Sequence, residues 1–83
     1  MRSSATNKPE FLAKKVVVDD QFIHLFLTDG REIKTPIEFY SKLRNATSED
    51  RKSFRLIGNG AGIHWDKIDE DLSVEGIVLG IKS

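Results

Sequence analysis

At 83 residues the chain is long enough for one small core and no more, so a second domain is excluded. Hydrophobic residues make up 39% and charged residues 31%, a globular balance, while 13 basic side chains against 13 acidic ones leave no broad positive footprint for nucleic acid. There is no cysteine, so disulfides and thiolate zinc sites are ruled out, and stability must come from packing or from a partner, a second copy of the chain included.

Residues 1–10 (MRSSATNKPE) are polar and aperiodic and read as a flexible tail before a single α+β domain over residues 11–83. They lack the apolar stretch of a secretory signal, and no apolar run approaches the roughly 18 residues of a membrane span. A cytoplasmic location with no membrane contact is therefore expected.

From Ala13 the β-branched run Val16-Val17-Val18 ends at the turn-forming pair Asp19-Asp20, predicting a first strand at about 13–19. The nearly continuous apolar segment QFIHLFLT predicts the central strand at 21–28. Asp29-Gly30 is a strong hairpin signal of the type I′ kind, so a third strand returns over 31–36. Pro36 ends that ladder. Ile37, Tyr40 and Leu43 then share one helical stripe, predicting a helix over 37–45.

Thr47 followed by Ser48-Glu49-Asp50 is an N-terminal helix signature, and a second helix is expected over 48–56 with Gly58 as its C-cap. The run FRLI at 54–57 also fits a strand. A glycine-rich connection, Gly58 to Gly62, leads to Ile63-His64-Trp65. Ser73 is a good N-cap for a short C-terminal helix over 73–79, although Gly76 weakens it.

The GNGAG loop invites an anion-binding reading through Gly58, Gly60, Gly62 and His64, but it lacks the lysine and helix of a phosphate loop and reads first as a turn. The two histidines, His24 and His64, have no cysteine nearby. Asp66, Asp69, Glu70 and Asp71 do not follow calcium-loop spacing, so no metal or cofactor is expected. His64 is expected to tie its segment to a carboxylate or carbonyl. No serine stands in a nucleophile-elbow context, and the chain is not expected to be an enzyme. His24 lies between Phe22 and Phe26 on the face of its strand opposite Ile23, Leu25 and Leu27, which suggests a cover over that second face, either the C-terminal segment or another chain. Trp65 fits either the core or an interface hot spot.

Asp29-Gly30-Arg31, Pro36-Ile37, Leu43, Ala46-Thr47, Arg51, Leu56-Ile57-Gly58, Gly62-Ile63-His64-Trp65 and the run from Asp69 to Gly76 together resemble the bacterial domain-of-unknown-function family 2442, over about residues 13–79. The GIHW and DEDLSVEG segments are the most specific pieces. Phe39-Tyr40-Ser41 departs from an aromatic pair followed by proline, and Phe54 from a tryptophan. The resemblance implies no assigned activity. It implies small bacterial and phage-type proteins, some joined to a helix-turn-helix domain and many neighbouring another small family in a suspected toxin-antitoxin arrangement. Ending at Ser83, the chain shows no appended helix-turn-helix, which weakens the regulator version.

Charge is uneven, with 11 basic and 8 acidic residues over 1–55 but 2 and 5 over 56–83. The leading expectation is a non-enzymatic protein-interaction module, antitoxin-like in a two-protein system, presenting Trp65, Asp69, Glu70 and Asp71 to a basic protein partner. A small-molecule or anion sensor using the glycine loop is the second. The weakest is a nucleic-acid contact through Arg44, Arg51, Lys52 and Arg55.

Overall fold

The computed structural model describes residues 11–82; the polar tail expected over residues 1–10 lies outside them. Two three-stranded antiparallel sheets follow one another along the chain, in the orders β1-β2-β3 and β4-β5-β6. The fold class is α+β, as expected.

The first sheet matches the sequence reading closely. β1 (Ala13–Val18) pairs with β2 (Phe22–Leu27), which pairs with β3 (Glu32–Pro36). The β1 register slips between Ala13 and Lys15, leaving Lys14 as a bulge. Asp19 builds the first turn, its Oδ1 accepting from the amides of Gln21 and Phe22 at 2.8 and 2.7 Å. The second turn differs in type from the expectation. Gly30 alone has positive φ (97°), its amide donates to the Leu27 carbonyl, and the Leu27 amide donates to the Arg31 carbonyl. This is a three-residue hairpin with a glycine bulge rather than a type I′ turn.

The expected helix over 37–45 is broken. Ile37–Phe39 form one 3₁₀ turn, Tyr40 is extended (φ −126°, ψ 108°), and α1 spans Ser41–Arg44. The break keeps Ile37, Tyr40 and Leu43 all inward, at 3%, 1% and 0% exposure, which is the packing the helical stripe was read from. The expected helix over 48–56 is shorter still. α2 (Ser48–Arg51) starts as foreseen, with Thr47 Oγ1 accepting from the Asp50 amide at 3.1 Å. It buries no residue, so nothing sustains it, and Arg55–Ile57 leave it to form β4.

β4 pairs with β5 (Gly62–Trp65), and β5 with β6 (Glu70–Ser73), a second sheet the sequence reading did not foresee. α3 (Val74–Val78) follows directly, with Ser73 Oγ accepting from the Gly76 amide at 2.9 Å as its cap. The inner faces of both sheets share one core. Ile23, Leu25 and Leu27 of β2 belong to the same buried cluster as Ile63 and Trp65 of β5, together with Leu43 and Val74. No helix among the described residues is long and apolar enough to cross a membrane.

Candidate functional site: the outer face of the second sheet

Alternation sorts the side chains of β4, β5 and β6. Ile63 and Leu72 point to the core, Leu56 across from Ile63 stays exposed at the sheet's edge, and the rows Arg55, His64, Asp71 and Ile57, Gly62, Ser73 share the other face. His64 thus has Arg55 on one side and Asp71 on the other. Its Nδ1 meets Asp71 Oδ1 and its Nε2 meets Asp66 Oδ1 at 2.8 Å. Asp66 in turn pairs with Arg55, whose Nε donates to Oδ2 at 3.3 Å. The outcome is a four-membered chain of alternating charge, Arg55, Asp66, His64, Asp71.

The electrostatics follow from the donor count. A neutral imidazole has one N–H, so only the imidazolium can donate to both carboxylates. The hydrogen bond to Asp71, aided by the charges of Asp71 and Asp66, accordingly raises the His64 pKa above its ordinary value. Arg55 holds the Asp66 carboxyl below the usual carboxylate range, with His64 adding to the effect. The expected tie from His64 to a carboxylate is present, and doubled.

Beside this chain lies an apolar hollow of about 280 Å³ lined by Ile57, Ala61, Gly62 and Leu72, with Asp71 at its rim. Ile57 lies across Gly62, so close that a β-carbon there would be 3.1 Å from Ile57 Cγ1. Leu56 and Ile57 are both more than a third exposed.

Of the four residues expected to meet a partner, only Asp71 stands on the His64 face; Glu70 is the cross-strand neighbour of Trp65 and falls on the opposite row, and Asp69 (φ 52°) lies in the turn between β5 and β6. Glu70 and Asp71 open β6, and Glu70 Oε1 accepts from the Asp71 amide. Trp65 is not a contact. It is fully buried, its Nε1 donates to the Arg51 carbonyl at 2.8 Å, and its ring is tilted against Phe54 at 5.9 Å, so it anchors the hairpin from below. Sequence reasoning missed Ile57 and the Arg55 to Asp66 link. The signal was the alternation of Ile63 and Trp65 with His64, and of Leu72 with Asp71 and Ser73, on either side of a polar turn.

The glycine loop is divided between two roles. Gly58–Gly60 form a 3₁₀ turn with Asn59 in the left-handed region, and Gly60 is buried against β1. Gly58, Asn59 and Ala61 also border a groove of about 700 Å³ shared with Phe11, Leu12, Leu79 and Ile81. His64 does not line it. Among the described residues no group of three or more His, Cys, Asp or Glu side chains is placed to hold a metal ion.

A family model for proteins of unknown function, DUF2442, matches residues 13–83. The chain belongs to that family. Two solved structures share the family member's fold. A protein of unknown function from Rhodospirillum rubrum ATCC 11170 is 27% identical, with 90% of this chain and 93% of that one covered at a TM-score of 0.81. The uncharacterized protein CV0863 from Chromobacterium violaceum is 22% identical, with 87% and 68% covered at a TM-score of 0.71. No functionally curated protein matches the sequence.

Proposed function

We propose that the domain is a non-enzymatic protein-interaction module, antitoxin-like in a two-protein system, whose partner docks on the outer face of β4, β5 and β6. One observation carries the reading: exposed Ile57 lies over Gly62 in an apolar hollow that Asp71 borders. Apolar centres with polar rims are the usual anatomy of a docking surface. Asp69, Glu70 and Asp71 favour a basic partner and speed its approach. Arg55 and His64 fix the orientation of Asp66 and Asp71, so less side-chain freedom is lost on binding.

The test is an affinity pull-down of the full chain from its own cell lysate, with Asp69→Lys/Glu70→Lys/Asp71→Lys and Ile57→Asp variants as controls. A small basic protein retained by the native chain and lost with both variants is the expected result. Retention by folded variants at native level would sink the assignment of the site.

A second reading, a small-molecule sensor, is favoured by the groove beside Gly58 and Asn59, since Phe11, Leu12, Leu79 and Ile81 give it apolar walls. A ligand seated there raises the melting temperature with concentration, and replacing Leu79 by Asp abolishes the rise.

A further inference from the structure

β2 sends Ile23, Leu25 and Leu27 into the core, and Phe22, His24 and Phe26 to the other side of the first sheet. The register gives that outer face three rows: Lys15, Phe26 and Glu32; Val17, His24 and Lys34; and Phe22 with Pro36, closed on the β1 side by Asp19. Phe22 and Phe26 are partly buried and Val17 is 40% exposed, and none of the three packs against the core cluster. A solvated antiparallel face normally carries polar side chains, so an apolar centre on its middle strand needs a cover. Among the described residues that cover is two lysine side chains. Lys34 Nζ stands 4.1 Å from the centre of the Phe22 ring, and Lys15 Nζ 5.5 Å from that of Phe26.

We infer that this face joins two copies of the chain, stacked face to face about a two-fold axis parallel to β2. Charge balance is the first ground. Over the face and the hollow at its Phe22 end, Lys15, Lys34, Arg44 and Arg51 stand against Asp19, Asp20, Glu32 and Glu38. Such a set attracts neither a polyanion nor a polycation, but it can pair with itself. The register is the second ground. An axis along β2 sets β1 of one copy over β3 of the other and keeps each row over itself, so the same patch serves both copies. Lys15 then faces Glu32 of the second copy, and Glu32 faces its Lys15, on either side of a contact between the two Phe26 rings. Phe22 meets Phe22, while Lys34 crosses Val17 and comes within one row, about 7 Å, of Asp19. An axis across the strands matches less well, because it sets Lys34 against Lys34.

Aligned sheets pack with their strands within about 30° of one another and about 10 Å apart, a gap that a lysine and a glutamate bridge from opposite sides. Among the described residues neither Lys15 nor Glu32 has an ion-pair partner, so both are available. A lysine stem is flexible and an exposed cation–π contact is weak, so Lys15 can leave the Phe26 ring for Glu32 and let the rings meet. From strand spacing and rise the face spans about 14 by 20 Å. That is small for a permanent dimer, so association is expected at micromolar concentration. The second sheet takes no part, and the inference is independent of the function proposed for it.

The experiment is sedimentation velocity on the full chain from about 10 μM to about 1 mM, a range that brackets weak interfaces of this size. A monomer–dimer equilibrium is expected, and Phe22→Thr/Phe26→Thr abolishes it. The phenylalanines lie outside the core and threonine suits a strand, so that variant should fold, which circular dichroism and Trp65 fluorescence verify. Lys15→Glu and Glu32→Lys each weaken association by about tenfold or more, since each turns two attractions across the axis into repulsions. Lys15→Glu/Glu32→Lys restores both pairs and returns to within about threefold of the native chain. Lys15→Glu/Glu75→Lys, equal to it in net charge but without the pair, stays weak. A monomer at about 1 mM, or a dimer that the folded threonine variant retains, overturns the inference. Single reversals that the swap does not rescue, or that the Glu75 control rescues equally well, overturn the two-fold pairing.

Discussion

The α-carbon of Gly60 rests on the backbone of Ala13: a β-carbon at position 60 would overlap the Ala13 carbonyl oxygen and press to 3.1 Å from its amide nitrogen. Ala13 opens the first sheet and Gly60 lies in the connection between β4 and β5 of the second, so this approach joins the two halves. Gly60 also has φ 96°, a conformation side chains resist. Gly60→Ala is therefore expected to destabilise the domain by about 2–4 kcal/mol, combining overpacking against backbone with left-handed strain. Chemical denaturation measures it, and Gly80→Ala, with open space at its α-carbon and a comparable φ of 77°, serves as the control that carries strain alone.

Trp65 should be the most costly side chain to truncate. Trp65→Ala leaves a cavity under β5 and is expected to cost about 3–5 kcal/mol, against the roughly 4–12 kcal/mol of total stability usual at this length. Trp65→Phe keeps much of the volume but orphans the Arg51 carbonyl, for about 1–3 kcal/mol. Urea midpoints by circular dichroism should rank native, Phe, Ala.

Tyr40 offers the opposite case. Its hydroxyl is buried and has no hydrogen-bond partner of sound geometry among the described residues, while burial pushes the phenol up and nearby Thr35 draws it partly back. Tyr40→Phe removes a desolvated donor, so stability is expected to stay within about 0.5 kcal/mol or to rise. A drop beyond about 1 kcal/mol would show a hydrogen bond to Thr35 at work.

The charge chain on the second sheet makes stability depend on pH. Because the folded His64 is raised above 6.5, its contribution is complete below that value and fades as pH climbs through the folded pKa. Asp66 is lowered, and Asp19 is lowered to about 2, so theirs is complete above 3.8 and fades as acid protonates them in the folded state. The melting temperature is expected to be flat between those two ordinary values and to fall on either side. His64→Gln should abolish the alkaline fall and leave the acid one, as a pH series of thermal melts would reveal.

The first sheet was legible because its signals are local: a β-branched run, an apolar strand and two turns built by Asp19 and Gly30, all within 24 residues. Thr47 and Ser73 were equally plain as caps, since a cap is satisfied by an amide three residues away. The second sheet was hidden because its strands are three or four residues long and hold residues such as Arg55 and Asp71 that favour strands only once paired across to His64. Helical spacing at Ile37, Tyr40 and Leu43 reported correctly which side chains are buried, but not that an extended Tyr40 would interrupt the helix. For the candidate site, Asp69, Glu70, Asp71 and His64 were visible by residue type. Burial alone separates Trp65 from them, and burial is a property of the assembled core.

Among the described residues every ladder joins strands adjacent in the sequence. Low sequence separation between partners lowers the loop entropy of the folding barrier, so refolding in milliseconds or less is the order of magnitude to expect. The first sheet ends at Pro36 and the second begins only at Arg55. During synthesis the first can therefore close while its inner side chains, Ile23, Leu25 and Leu27, still lack Ile63, Trp65 and Val74 to cover them. The nascent chain passes through a half-built state with an open apolar face, in which it is most exposed to aggregation and to chaperones.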